Sequence, residues 1–204
     1  MARWLLIAVL VLLGVLGVSQ LLIPPAVEHR IESRLTDGGG SADVSVGAFP
    51  AVRLLFADGS HLSATGSGLR LGLEQQANVF DKLDGFDRVD VSLTGSRAGP
   101  FAVSSFELSR SSPSVPYHLL SRARTTPGEL TAYGASRLGI PGASLLRLFS
   151  GQAPGGNQPI PVDLDMRLTS DGGRVVVVSG GGTIAGFPTG PLAELITSAI
   201  VVKL

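Results

Sequence analysis

Arg88-Val89-Asp90-Val91-Ser92-Leu93-Thr94 and, much further along, Val162-Asp163-Leu164-Asp165-Met166-Arg167-Leu168 alternate apolar with polar side chains at every step. A period of two places Val89, Val91 and Leu93 on one face of a strand and Arg88, Asp90, Ser92 and Thr94 on the other. Such strands build a sheet that is dry on one side and wet on the other, which is the antiparallel habit. Working outward from these two segments, residues 42–49, 61–73, 101–108, 115–124 and 174–184 repeat the pattern, so strands are expected at 42–49, 61–73, 88–94, 101–108, 115–124, 161–169 and 174–184. Residues 78–83 read as a short helix or turn between two of them.

Helix signals are fewer. Thr126-Pro127-Gly128-Glu129 offers an N-cap threonine, proline at the first helical position and glutamate three after the cap, a capping box that opens a helix to about residue 138. Gly139-Ile140-Pro141-Gly142 ends it, and a second helix over 143–149 is expected to follow. Residues 151–158 form a loop too short to separate one domain from another. Gly190-Pro191 opens a last helix, with Leu192, Leu195, Ile196, Ala199 and Ile200 on one face. Strands outnumber helices without regular strand-helix-strand alternation, so the expected class is α+β, a curved antiparallel β-sheet wrapped around amphipathic helices. The strand glycines Gly66, Gly68, Gly72, Gly95, Gly180, Gly181 and Gly182 permit bulges and bending. A bent sheet with small interior residues leaves a cavity that an apolar ligand can fill.

The amino terminus suggests where the domain works. Residues 4–23 carry no charge, and at about 1.5 Å per residue they span about 30 Å, one bilayer core. Arg3 precedes the run and Pro24-Pro25 is expected to stop the helix, so the positive-inside bias places the remainder outside the cytoplasm. A cleaved secretory signal is the alternative, although Val18-Ser19-Gln20 matches a small-x-small cleavage site poorly. The chain therefore divides into an anchor or signal segment, 1–25, and a working domain, 26–204. The expected location is the plasma membrane, single-pass, with the C-terminal domain extracytoplasmic, or secreted if the segment is cleaved. Val27, Ile31 and Leu35 then mark a short amphipathic helix that Asp37-Gly38-Gly39-Gly40-Ser41 ends.

Composition removes several functions. The 204 residues hold 16 basic and 16 acidic side chains, and 16% charged residues against about 25% in an average soluble protein leaves no basic field for nucleic acid. Cysteine is absent, which excludes disulfides, thiolate zinc sites, cysteine nucleophiles and an acylated lipoprotein cysteine. His29, His61 and His118 have no paired-ligand spacing, and neither a GxSxG elbow nor a phosphate-binding loop occurs. Gly180-Gly181-Gly182-Thr183-Ile184-Ala185-Gly186 fails the dinucleotide spacing and reads as a bend. Asp163 and Asp165 are similar to the metal-holding aspartates of sugar-nucleotide transferases, yet both fall on the polar face of a strand without a third ligand. Asp81, Asp84, Asp87 and Asp90 recur every third residue and read as a solvated acidic edge. The expectation is a protein that is not an enzyme and carries no metal or cofactor. The enzyme rival is a metal-dependent envelope transferase using Asp163 and Asp165.

Residues 44–69 are more specific. Val46-Gly47-Ala48-Phe49-Pro50 ends a strand in Gly-x-Phe-Pro, Ala51-Val52-Arg53-Leu54-Leu55-Phe56 is leucine-rich, and His61 to Leu69 supplies a second strand closing on a small and an apolar residue. This pattern resembles the hallmark of the LmeA-like phospholipid-binding family of actinobacterial cell-envelope proteins. The preceding amphipathic helix, the capped helix at Thr126 and a second Gly186-Phe187-Pro188 agree with it. The resemblance implies an exported or anchored protein that binds phospholipid such as phosphatidylinositol, beside enzymes of envelope glycan synthesis. It implies that Phe49, Pro50, Leu54, Leu55 and Phe56 form the mouth or wall of a lipid groove, and that Arg53 meets a lipid phosphate. The same apolar residues also read as plain core, and Arg53 as surface. An extracytoplasmic scaffold for a membrane enzyme, holding no lipid, is the alternative function.

Overall fold

A computed structural model describes residues 2–72, 80–137, 158–184 and 187–188. It begins with one long helix, α1 (Ala2–Thr36). There follow β1 (Ser41–Gly47), a 3₁₀ turn (Ala51–Phe56), β2 (Gly59–Ser67), β3 (Arg70–Leu71), α2 (Asp81–Asp84), β4 (Phe86–Ala98), β5 (Phe101–Arg110) and β6 (Tyr117–Thr125). Then come α3 (Pro127–Arg137), β7 (Ile160–Asp171), β8 (Arg174–Ile184) and β9 (Phe187–Pro188). The class is α+β with a mostly antiparallel, open sheet in the order β1-β2-β4-β5-β6-β7-β8-β9, while β3 pairs with β4 off this path. The helices expected at 143–149 and from Gly190, and most of the loop at 151–158, lie outside the described residues.

The alternating segments form strands, and the alternation is borne out in burial from β4 to β7 but not in β8, where Val176, Val177 and Val178 are all exposed. Val89, Val91 and Leu93 are buried, as are Leu164, Met166 and Leu168, while Arg88, Asp90, Asp163 and Asp165 face solvent. The dry face collects Val44, Leu62, Phe106, Leu108 and Leu119, and Ile31 and Leu35 of α1, Phe80 and Leu83 around α2, and Leu130 of α3 join the same core. Fully burying one such side chain is worth about 1.5–3 kcal/mol. Two expectations need correcting. The 61–73 run splits at Gly68 (φ +66) into β2 and β3, and both pair with β4 in parallel rather than antiparallel fashion. Parallel pairing is open to them because the chain from residue 72 to residue 85, which contains α2, is long enough for a crossover. In β8 the expected bend is a bulge: Ser179 pairs with Arg167 and Val177 with Leu168, leaving Val178 extra. Gly180 beside it has φ +85, and a Cβ there would collide with the Asp165 carbonyl.

The larger correction concerns Pro24-Pro25. They do not stop the helix: α1 runs through them to Thr36, so the uncharged run and the amphipathic helix are one element, and the boundary expected between residues 25 and 26 falls inside it. Proline removes a ladder hydrogen bond and crowds the preceding turn. Downstream packing offsets that loss. Ile31 and Leu35 are buried, Ile23 and Val27 pack against the core, and two carboxylates four residues apart grip the sheet edge. The Val46 N–H donates to Glu28 Oε1 (3.0 Å) and the Val44 N–H to Glu32 Oε1 (3.2 Å). Four residues of helix advance about 6 Å and two residues of strand about 6.6 Å, so the carboxylates match the outward N–H groups of β1. They cover an edge that would otherwise be free to pair with another chain.

A second polar contact pins α2. Arg110 occupies an inward position of β5, only 6% exposed, and its Nη2 donates to the carbonyls of Leu83 (3.2 Å), Asp84 (3.2 Å) and Phe86. Its guanidinium lies 4.4 Å from the Tyr117 ring centre, and Nη1 is 3.5 Å from Asp84 Oδ1. The Tyr117 hydroxyl donates to the same Asp84 oxygen at 3.1 Å, and Phe80 meets the Tyr117 ring edge-on at 4.6 Å. Burial raises the Tyr117 phenol far above its ordinary value, so it stays protonated and remains a donor. The capping box forms as expected: the Glu129 N–H donates to Thr126 Oγ1 (3.2 Å) and the Thr126 N–H to Glu129 Oε2 (3.2 Å).

Arg110→Ala removes the guanidinium donor that three carbonyls share and the cation beside Asp84, and should lower the free energy of unfolding by about 3 kcal/mol, with Arg110→Lys recovering only a fraction of this because it lacks the planar fork. Urea denaturation of the purified chain measures both. Thr126→Ala should cost about 1 kcal/mol in the same assay.

Candidate functional site

Phe49, Pro50, Arg53, Leu54, Leu55 and Phe56 all lie in or beside the 3₁₀ turn, but they do not act as one wall. A 3₁₀ turn repeats every three residues, so side chains three apart share a row. Ala51 (0% exposed) and Leu54 (4%) form the inward row and belong to the core. Val52 and Leu55 form the next row and are 40% and 63% exposed. Phe56 is 81% exposed, and Phe49, just before the turn at a cis Phe49-Pro50 peptide, is 78% exposed. Thus the sequence's two readings divide between residues: Leu54 is core, and Phe49, Leu55 and Phe56 project outward.

Arg53 closes the turn. Its Nε donates to Asp58 Oδ2 (2.8 Å) and its Nη2 to Asp58 Oδ1 (2.7 Å), a bidentate pair that uses two of the five guanidinium donors. The Ala57 N–H to Leu54 O bond (3.2 Å) and the Asp58 N–H to Arg53 O bond (3.2 Å) complete the closure, with Ala57 left-handed at φ +53. Hydrogen bonding from Arg53 holds the Asp58 carboxyl below its ordinary value of 3.8, against the smaller upward pull of desolvation.

Helix α1 lies against this turn, and along α1 Val18, Leu21 and Leu22 are 56%, 76% and 64% exposed. Two adjacent elements therefore present large apolar side chains to the outside, beyond the isolated exposed hydrophobics normal on any surface. The side chains of residues 1–13 and 15, more than half of the uncharged run, lie outside the described residues. Among the described residues no helix is long and apolar enough to cross a membrane.

The hollows are elsewhere. Of three hollows among the described residues, the most voluminous, about 730 Å³, is an open trough on the wet face of β5 to β8, lined by Ser105, Glu107, Leu120, Arg122, Asp163, Asp165 and Thr183 over a glycine floor, Gly180 to Gly182. Glycine supplies the depth because it puts no side chain above the sheet. A second, about 470 Å³, lies between Arg88, Asp90, His118 and Arg167, and a third, about 280 Å³, is bounded by Asp84, Arg110 and Tyr117. None is an apolar tunnel, and none is lined by the six residues of the turn. Asp163 and Asp165 do share the polar face of β7, and Asp165 Oδ1 lies 3.0 Å from His118 Nε2. No set of three metal-binding side chains gathers among the described residues. Asp84 departs from the expected solvated edge, since Arg110 and Tyr117 engage it.

Sequence reasoning missed the Glu28/Glu32 grip and the Arg110 cluster. The second had a signal: Phe106, Leu108 and Arg110 share a parity in β5, so an arginine stands where the pattern demands an apolar residue. The first had the four-residue spacing of two glutamates beside the Val27, Ile31, Leu35 stripe.

Because Asp58 is depressed in the folded chain, its pairing supports the turn above the ordinary carboxylate value and is lost as pH falls through the lowered one. A carboxyl-carbon NMR titration should place Asp58 below 3.8 in the native chain and return it to the ordinary value in Arg53→Ala. Compared with protein-family models, with curated proteins and with solved structures, the chain matches none of them.

Proposed function

We propose that the chain is an exported, membrane-anchored phospholipid-binding protein of the cell envelope, which holds or presents a lipid such as phosphatidylinositol for envelope lipoglycan assembly. In this reading the N-terminal half of α1 is a single transmembrane helix in the plasma membrane, the sheet curves around its helices on the outer side, and envelope glycan-synthesis enzymes are the partners. The protein binds and does not catalyse, uses no cofactor and has no business with nucleic acid. The observation that carries the reading is the exposed apolar group Phe49, Val52, Leu55 and Phe56 beside the end of a charge-free helical run. Acyl chains gain about 0.8 kcal/mol per buried methylene, so a few such side chains supply affinity without a deep pocket.

A second reading, an extracytoplasmic scaffold that stabilises a membrane enzyme without holding lipid, is favoured by the open, mixed polar and apolar lining of the three hollows, none of which is an apolar tunnel. Native mass spectrometry of residues 25–204 separates the two. Bound phospholipid, reduced by the double change Phe49→Ser and Phe56→Ser, is the expected result. An empty domain that also ignores vesicles of anionic phospholipid would overturn lipid binding in favour of the scaffold.

A further inference from the structure

The Glu28/Glu32 grip does more than cover an edge: it fixes the level at which the 3₁₀ turn stands along α1. Glu32 meets Val44 and Glu28 meets Val46, so helix and strand run in opposite senses, two strand residues to four helix residues. β1 ends at Gly47, one residue past the Glu28 contact, so the chain leaves the strand heading towards Pro24, and Ala48 and Ile23 both pack against the shared core. The turn that starts at Ala51 thus stands beside the last turn of the uncharged run, which ends at Ile23. Contact between α1 and the turn agrees with this placement. From Ile23 back to Gln20 the helix rises about 5 Å, the depth at which interfacial segments sit below the headgroups.

We propose that the 3₁₀ turn is a second membrane-insertion element, with Phe49, Val52, Leu55 and Phe56 seated at the headgroup-acyl boundary of the bilayer that the uncharged run enters, at a depth set by Glu28 and Glu32. The proposal rests on the anchored reading above. Three observations select a lipid surface as the occupant. The turn packs against α1, whose Leu21 and Leu22 near the end of the uncharged run are also more than half exposed, so two touching elements both present apolar side chains to the outside. Arg53 and Asp58 offset each other through two short hydrogen bonds, and the exposed Asp87 is the further charge that acts on Arg53, so the pair lowers the cost of approaching the bilayer. The guanidinium keeps three donors for lipid phosphates.

The absence of native cysteine makes the test direct. Phe56→Cys and, as a control, Asp37→Cys just beyond the far end of α1 are each labelled with an environment-sensitive fluorophore in the full chain. Both are reconstituted into phosphatidylcholine-phosphatidylglycerol vesicles carrying nitroxide lipids. The label at 56 should shift to the blue and be quenched at least about threefold more strongly than the label at 37. In Glu28→Ala/Glu32→Ala the quenching at 56 should fall towards the control, while Glu28→Gln/Glu32→Gln, which keeps the acceptor oxygens, should retain it. A water-like label at 56 on a chain that stays with the vesicles and still binds phospholipid overturns insertion and leaves the lipid-binding reading standing. A shielded label that nitroxide lipids do not quench overturns it in favour of a protein partner. A chain that leaves the vesicles altogether overturns insertion and anchoring together. Unchanged quenching in the double alanine variant overturns the role given to the two glutamates.

Discussion

Two glutamate oxygens on two backbone N–H groups determine how this molecule is put together. Without them, β1 would be a bare edge and α1 a helix with only a narrow apolar stripe to hold it. A strand edge carries its donors at a fixed spacing, and a helix carries side chains on one face at nearly the same spacing, so the fit depends on the four-residue separation of Glu28 and Glu32. Helix and sheet are joined by directional bonds at the edge and by undirected burial of Ile31 and Leu35 beneath it. The first sets register; the second supplies most of the stability.

The sheet was legible in the sequence because its physics is local. Alternation in residues such as Val89, Val91 and Leu93 depends only on one face being dry, and that face is dry in the fold. The capping box at Thr126 was legible for the same reason, since its donors and acceptors lie within four residues. What could not be read was non-local. Pro24-Pro25 look like a stop because proline weakens a helix from within, whereas the residues that hold α1 together contact β1 and the core. The parallel partnership of β2 with β4 depends on how the crossover is routed, which alternation does not encode. Arg110 is the polar exception to a pattern, and its carbonyl partners around α2 lie more than twenty residues away.

The candidate site was only half legible. Its composition marked the turn as apolar, but buried and lipid-facing residues are chemically alike, so only the three-residue period of the turn separates Leu54, inside, from Leu55 and Phe56, outside. Arg53 looked like a phosphate ligand or an idle surface charge; its partner Asp58, five residues on, makes it a latch for the loop. The glycine floor of the outer trough shows the same dependence on geometry, since Gly180 is forced by the bulge at Val178 and the depression follows from the missing side chains.

An unbroken α1, about 50 Å from end to end, makes the domain a lever rather than a bead on a string. The half beyond Pro25 is bonded to the border strand, so a tilt of that half carries the edge of the sheet with it. Orientation is thereby inherited from the helix, and the sheet has little freedom to swivel on its own.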